Sequence, residues 1–286
     1  MLTFASVIPQ PVRPSAVAGS WYPGGAAALT AELDRYCARV TARVGGDLRG
    51  VIAPHAGLVY SGPVAAHAYA QLRGSSYEAV VLVGPSHYVG FEGAAVVRRG
   101  AFSTPLGLAD IAEDLAEAIL AATPIAHERP SAHQREHSLE MQLPFLQHLL
   151  RPTPIVPIVI GQQSHETITA LADALARVLA GRPVLLVASS DLSHYHDARR
   201  AAKLDAVVTT AIDAFDAAAL ERALDRFPEH ACGGGPMAVV MRAARALGAR
   251  DARVLCYADS GDVSGDKTAV VGYAAAVLGT FPDAAS

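Results

Sequence analysis

Apolar runs of strand length alternate along the chain with stretches in which apolar residues recur three and four positions apart. The short runs predict strands near Gly50–Ala53, Ala79–Val83, Ile155–Ile160 and Val184–Ala188, with Arg253–Ala258 and Ala269–Leu278 completing the sheet. The longer periodic stretches predict helices near Leu29–Val44, Pro63–Leu72, Leu108–Ala121, Leu139–Leu150, Thr167–Leu179, Ala198–Phe215 and Pro236–Leu247. Such alternation argues for an α/β fold, a single domain over 1–286 whose central mainly parallel or mixed sheet is covered by helices on both faces. The Pro- and Gly-containing stretches are of loop length and no solenoid repeat is present, so nothing divides the chain. Residues 1–12, with Pro9 and Pro11, are expected to form an extended lead-in, and Arg13–Tyr22 to pack against the domain. A flexible tail through Gly25 is the alternative.

Composition narrows the function classes. With 286 residues, 51% of them apolar, the chain can bury a large core. Its 23 basic and 27 acidic residues are spread rather than clustered and sum to −4, which leaves no electrostatic footprint for nucleic acid or an anionic membrane. Apolar runs such as Val184–Ala188 and Ala274–Leu278 are strand-sized, far short of the roughly 20 residues a bilayer demands. Met1–Val12 lacks the charged and apolar regions of a secretory signal, so a cytoplasmic location is expected. Three widely spaced cysteines, an odd number, fit a reducing compartment better than a disulfide framework. Cys37 lies in a helical pattern and Cys256 in a strand-like one, where a thiol is ordinarily core filler.

In sheets of this class ligands bind where parallel strands deliver their carboxyl ends. Three predicted strands run into polar residues there: Pro54-His55-Ala56-Gly57, Pro85-Ser86-His87-Tyr88 and Ser189-Ser190-Asp191-Leu192-Ser193-His194. One histidine so placed is more often a structural hydrogen-bonding group than a ligand, but three together shift the balance. Pro54 and Pro85 would restrict the turns that carry two of them.

Cys232 opens the run Cys232-Gly233-Gly234-Gly235-Pro236, at the start of a helical pattern. A thiol beside a helix N-terminus is more readily ionised, as a metal ligand or nucleophile requires. A Gly-rich helix entry with a buried thiol fits the same residues. Glu136 and Glu140, one turn apart at the start of the helix expected over Glu136–Phe145, could accept the outer N–H of a ligating imidazole. They could equally form a solvated face with Ser138 as the cap. His67, His127, His133, His148, His165, His196 and His230 lack comparable context, and Asp259–Asp266 lacks the glycine and closing glutamate of a calcium loop.

Taken in order, Ala18-Gly19-Ser20-Trp21-Tyr22-Pro23, Pro54-His55-Ala56-Gly57, Gly84-Pro85-Ser86-His87, Glu136-His137-Ser138-Leu139-Glu140, Ser189-Ser190-Asp191, Cys232-Gly233 and Gly261-Asp262-Val263-Ser264-Gly265-Asp266 resemble the Memo family. That family is named for a mediator of cell motility and represented in prokaryotes by the Memo component of the AmmeMemoRadiSam system. The resemblance covers nearly the whole chain and implies a fold like that of class III extradiol dioxygenases. Carried over by motif, it implies His55, His87 and Cys232 as metal ligands, with Asp191 and His194 in the same pocket as catalytic candidates. His194 is the acid–base group in that assignment. His137 and Glu140 are further pocket positions, beside Glu136. The dioxygenases hold iron with two histidines and a carboxylate, and a thiolate in place of the carboxylate makes a softer set suited to Fe(II) first, and to Cu or Zn.

The resemblance thus implies a metal-binding protein with a dioxygenase-like pocket, a non-haem oxidoreductase using iron or copper on an unknown small molecule. A non-enzymatic scaffold binding a peptide or ligand in the same pocket is the alternative, and a zinc hydrolase with Asp191 or Glu140 as base a third. A functional link to radical-SAM and AMMECR-type proteins is a further expectation from the resemblance.

Overall fold

The segments Ala79–Pro85, Ile155–Ile160 and Val184–Ser189 are buried along their whole length, as uninterrupted Val/Ile/Leu-rich strands must be when both faces of a sheet are covered. They form the middle of a computed structural model that describes residues 11–150 and 152–282.

In chain order the strands are β1 (Val12–Arg13), β2 (Asp47–Ala53), β3 (Ala79–Pro85), β4 (Ala94–Val96), β5 (Ala101–Thr104), β6 (Gly107–Asp110), β7 (Ala126–Glu128), β8 (Ile155–Ile160), β9 (Val184–Ser189), β10 (His194–His196), β11 (Asp251–Asp259) and β12 (Val270–Thr280). The helices are α1 (Ala26–Cys37), α2 (Leu58–Tyr69), α3 (Glu113–Ala122), α4 (Leu143–Leu149), α5 (His165–Val178), α6 (Ala198–Asp213), α7 (Ala217–Arg226), α8 (Gly234–Ala246) and α9 (Gly261–Ser264). The main sheet runs β10-β12-β2-β9-β3-β8-β4-β7, with β11 also paired to β12. Its centre, β2-β9-β3-β8, is parallel. β12 joins antiparallel to β2, and β4 antiparallel to β8, so the sheet is mixed. Helix α8 packs on β2, β3 and β9, and α2 on β2, β11 and β12. A small second sheet, β1-β5-β6, joins the N-terminal strand to the hairpin over 101–110.

The expected α/β class and all six expected strands are present, with differences at the boundaries. The helix expected over Leu108–Ala121 begins only at Glu113, because Leu108–Asp110 pairs with β5 in a hairpin whose turn uses Gly107 at φ +121°. The first helix stops at Cys37 rather than Val44, and the second starts at Leu58, five residues before the proline expected to open it. The segment expected to start a helix at Glu136 is irregular, reaching a 3-10 turn at Glu140–Gln142 and then α4. Helix α7 lies where no element was expected. Among the described residues no helix is long and apolar enough to cross a membrane.

Of the expected lead-in, residues 1–10 lie outside the described part, while Val12 enters β1 and pairs with β5. The segment 13–22 packs on the domain largely around one carboxylate, that of Glu140, whose side chain is fully buried. Its carboxylate accepts from Ser15 Oγ (2.6 Å), the Ala16 and Val17 amides (2.8 and 3.1 Å) and Tyr22 OH (2.8 Å), and pairs with the Arg13 guanidinium. Arg13 also donates to the carbonyls of His133 and Glu136 (2.7 and 2.6 Å). Burial alone would raise the Glu140 carboxyl, but the hydrogen bonds from Ser15 and Ala16 and the Arg13 charge hold it below its ordinary 4.5.

Removing this acceptor leaves the buried Arg13 guanidinium without its counter-charge and the Ala16 and Val17 amides without a partner, so Glu140→Ala should lower stability by about 3–5 kcal/mol in equilibrium urea unfolding. Because the folded pKa lies below the unfolded value, the contribution is complete above pH 4.5 and fades as pH falls through the lower folded pKa. Acid unfolding of Glu140→Ala should accordingly be less pH-dependent than that of the wild type; equal slopes would refute the clamp.

Candidate metal centre

Strand β9 lies between β2 and β3, so the three loops that leave their carboxyl ends meet side by side. His55 follows β2 by two residues and His87 follows β3 by two, while Ser189 is the last residue of β9. The rings of His55 and His87 stand 5.1 Å apart, centroid to centroid, nearly edge-on. His137, from the irregular segment before α4, stacks on His87 at 4.5 Å with 21° between the planes and lies 5.5 Å from His55. Nitrogen atoms of these three imidazoles all fall within 4.8 Å of one another.

Each ring is held from behind. The buried His55 donates its backbone N–H to Asp191 Oδ1 (2.7 Å), and its Nδ1 meets Ser189 Oγ at 2.8 Å. His87 offers both its backbone N–H (2.6 Å) and its Nδ1 (2.8 Å) to the Glu136 carboxylate, which also accepts the Ser138 amide (2.9 Å). A carboxylate can only accept here, so His87 carries a proton on Nδ1. His137 is covered by Trp21, ring centroids 4.3 Å apart, and its Nδ1 lies 3.3 Å from Tyr88 OH. Trp21 arrives on the segment that Glu140 secures, and its carbonyl accepts the Leu58 amide.

The electrostatics favour metal-ready ligands. Burial, reinforced by the neighbouring His87, keeps His55 well below 6.5, and burial brings His137 down to about 4. Burial opposes ionisation of Glu136, yet the bonds from His87 and Ser138 hold it at about 2. Two neutral imidazoles thus face the site beside an ionised carboxylate, the protonation states that metal binding requires. Asp191 is pushed upward by burial against the pull of the His55 and Ala56 amides and of His194.

The structure places the remaining expected residues as follows. Cys232 Sγ is 3.3 Å from His55 Nε2, but the mutually close group of three is completed by His137. Burial and the Asp191 charge push the thiol above its ordinary pKa, so the ionisation expected from the helix N-terminus does not arise. Half-buried, Cys232 also borders a cleft of about 500 Å³ with Gln163, His165 and Glu221. Gln163 fixes that turn, donating to the Cys232 carbonyl (2.7 Å) and accepting from the Gly235 amide (2.6 Å). His194 lies on β10, half-buried, near enough for its charge to act on Asp191 and His55. Of the two glutamates, Glu136 receives an imidazole N–H, whereas the Glu140 bonds go to the N-terminal segment. Ser138 caps no helix: its hydroxyl donates to the Pro85 carbonyl.

Four contributors were not singled out from the sequence. Trp21 and Ser189 stand inside quoted motifs without an assigned role, Tyr88 follows His87, and Gln142 carries no local signal at all.

The fold and the site define an α/β protein with a histidine cluster capable of holding a metal ion at the carboxyl ends of its central strands. Residues 13–277 match the family described as Memo-like protein, and the chain belongs to it. A MEMO1 family protein of Methanosarcina mazei is 40% identical over 270 residues, covering 93% of this chain and 99% of its own. One from Methanothermobacter thermautotrophicus is 38% identical over 274 residues, with 92% and 99% covered. Among solved structures, an uncharacterized protein from Escherichia coli K12 superposes with a TM-score of 0.51 at 15% identity, over 79% of this chain and 99% of that one. That likeness supports the fold alone.

Gly233 is where the backbone carrying Cys232 passes closest to β9: a Cβ there would lie 2.4 Å from the Ser189 carbonyl oxygen and 2.7 Å from Ser190 Cβ. Gly233→Ala should therefore cost about 1–3 kcal/mol in urea unfolding and move Cys232 off His55. Unchanged stability would show that the turn is looser than described.

Proposed function

We propose that this chain is a cytoplasmic metal-binding protein that holds a transition-metal ion, Fe(II) before Cu or Zn, for redox chemistry on a small molecule. The observation that carries the reading is the convergence of His55, His87 and His137 within 4.8 Å, each on a different connection of the sheet. The donor chemistry fits: neutral imidazoles suit iron, copper and zinc, and Cys232 beside His55 Nε2 adds a soft donor within reach once metal binding displaces its thiol proton. His55, His87 and His137 would hold the ion, with Cys232 as a further donor beside His55. Bound iron or copper would supply one-electron redox chemistry, and zinc Lewis acidity.

The chain's own groups account for the rest of the site. Glu136 keeps the His87 ring in place and adds negative charge that favours a cation. Trp21 covers His137 and excludes water from that face. His194, half-buried beside Asp191, is the group suited to exchange a proton with a bound molecule.

Protein purified and reconstituted without oxygen should contain about one ion per chain, and His55→Ala and His87→Ala should lose it. Since Trp21 is the chain's single tryptophan and lies against His137, Cu(II) or Co(II) uptake should also quench its fluorescence. Failure of the wild type to retain Fe(II), Cu or Zn under these conditions would end this reading. Elemental analysis identifies the metal, and retention of zinc alone would turn the reading from redox to hydrolytic chemistry.

A further inference from the structure

Ser189 Oγ has one proton and two lone pairs and meets three partners: the Ser138 carbonyl at 2.7 Å, Gln142 Nε2 at 2.7 Å and His55 Nδ1 at 2.8 Å. All of these residues are buried. The carbonyl can only accept, so the hydroxyl proton belongs to it. The orientation of the Gln142 amide is settled by two carbonyls that only its NH₂ can face, Pro54 O at 3.1 Å and Ser138 O at 3.4 Å. Its Oε1 in turn takes the Tyr69 hydroxyl at 2.7 Å. Gln142 therefore donates into one lone pair of Ser189, and the other is left for a donor. His55 Nδ1 must be that donor. With the opposite tautomer, the serine proton would turn to Nδ1 and leave two oxygens facing each other at 2.7 Å with no hydrogen between them.

We propose that Ser189, oriented by Ser138 and Gln142, is a positioning residue that locks His55 as the Nδ1–H tautomer and so presents a bare Nε2 lone pair to the metal site. Free histidine in water prefers the other tautomer, with the proton on Nε2, so the lock reverses the intrinsic preference. It acts before any ion arrives. Ser189 offers no donor to an ion itself; it works through its contact with His55 alone, and Tyr69 stands behind Gln142 as the outermost member of the chain of bonds. The effect on metal affinity rests on the metal-binding reading above, whereas the tautomer itself does not.

The test uses the full chain labelled with ¹⁵N-histidine. Long-range ¹H–¹⁵N spectra of metal-free protein at neutral pH distinguish the two tautomers directly, and zinc affinity is read by competition with a chelator. Wild-type His55 should show the Nδ1–H pattern. Ser189→Ala should shift it toward Nε2–H and weaken zinc binding roughly 10- to 100-fold. Ser189→Thr keeps the hydroxyl on a strand that tolerates β-branching, and should restore both readouts. A merely structural role would make the larger threonine at least as harmful as alanine at this fully buried position. An Nε2–H pattern in the wild type, or Ser189→Ala with tautomer and zinc affinity unchanged, overturns the proposal. A wild type that shows the Nδ1–H pattern but takes up neither zinc, copper nor Fe(II) would defeat the metal-centre reading and leave the tautomer lock standing.

Discussion

The site depends on parallel hydrogen bonding of β9 to β2 on one side and to β3 on the other. Neighbouring strands lie about 4.8 Å apart, so pairing alone brings the ends of β2 and β3 within about 10 Å of each other, with β9 between them. Side chains that leave those ends can then meet without long loops. The register Ala53↔Ser189 sets Ser189 level with the last residue of β2, just short of His55. The same pairing explains why β3 and β9 tolerate no polar side chains until the strands end: both are covered on both faces, and helix α8 packs across β2, β9 and β3.

Buried polar groups make the second constraint. Charging the two buried imidazoles would be costly, and burial keeps His55 and His137 neutral, while His87 reaches solvent. The carboxylates nearby are satisfied one by one. Glu136 takes three N–H groups from His87 and Ser138, Asp191 takes the His55 and Ala56 amides, and Glu140 takes the strap of residues 13–22. The strap is therefore part of the site although it contributes no ligand, because it delivers Trp21 to His137.

What could be read from the sequence follows from which interactions are local. The buried parallel strands were legible because a strand covered on both faces must be an unbroken apolar run, and His55, His87 and Ser189–Asp191 were legible because they stand directly after such runs. The role of Glu140 was not legible, since its partners Arg13, Ser15 and Tyr22 are more than a hundred residues away in sequence. Helical spacing suggested that Glu136 and Glu140 share a face, but the segment between them is irregular and they point to different tasks. His137 escaped assignment as a core member of the cluster for the same reason: on a regular helix its direction could be inferred, whereas in an irregular segment only tertiary packing decides it. Gln142 shows the extreme case, a residue whose importance lies entirely in the four partners it joins.

The thiol of Cys232 shows how magnitudes decide between two plausible influences. A helix N-terminus contributes at most about 2 kcal/mol to an adjacent anion, equivalent to roughly 1.5 units of pKa. Burying a charged group shifts its pKa by up to about 3–5 units, and here the Asp191 charge acts in the same direction. Desolvation therefore wins, and the thiol stays protonated despite its position ahead of α8. With Nε2 of His55 bare, the 3.3 Å contact between the two is then a thiol donating to an imidazole. The arrangement leaves the site with two neutral imidazoles, His55 and His137, a protonated thiol and an ionised Glu136, a field that favours a cation over an anion before any particular metal is considered.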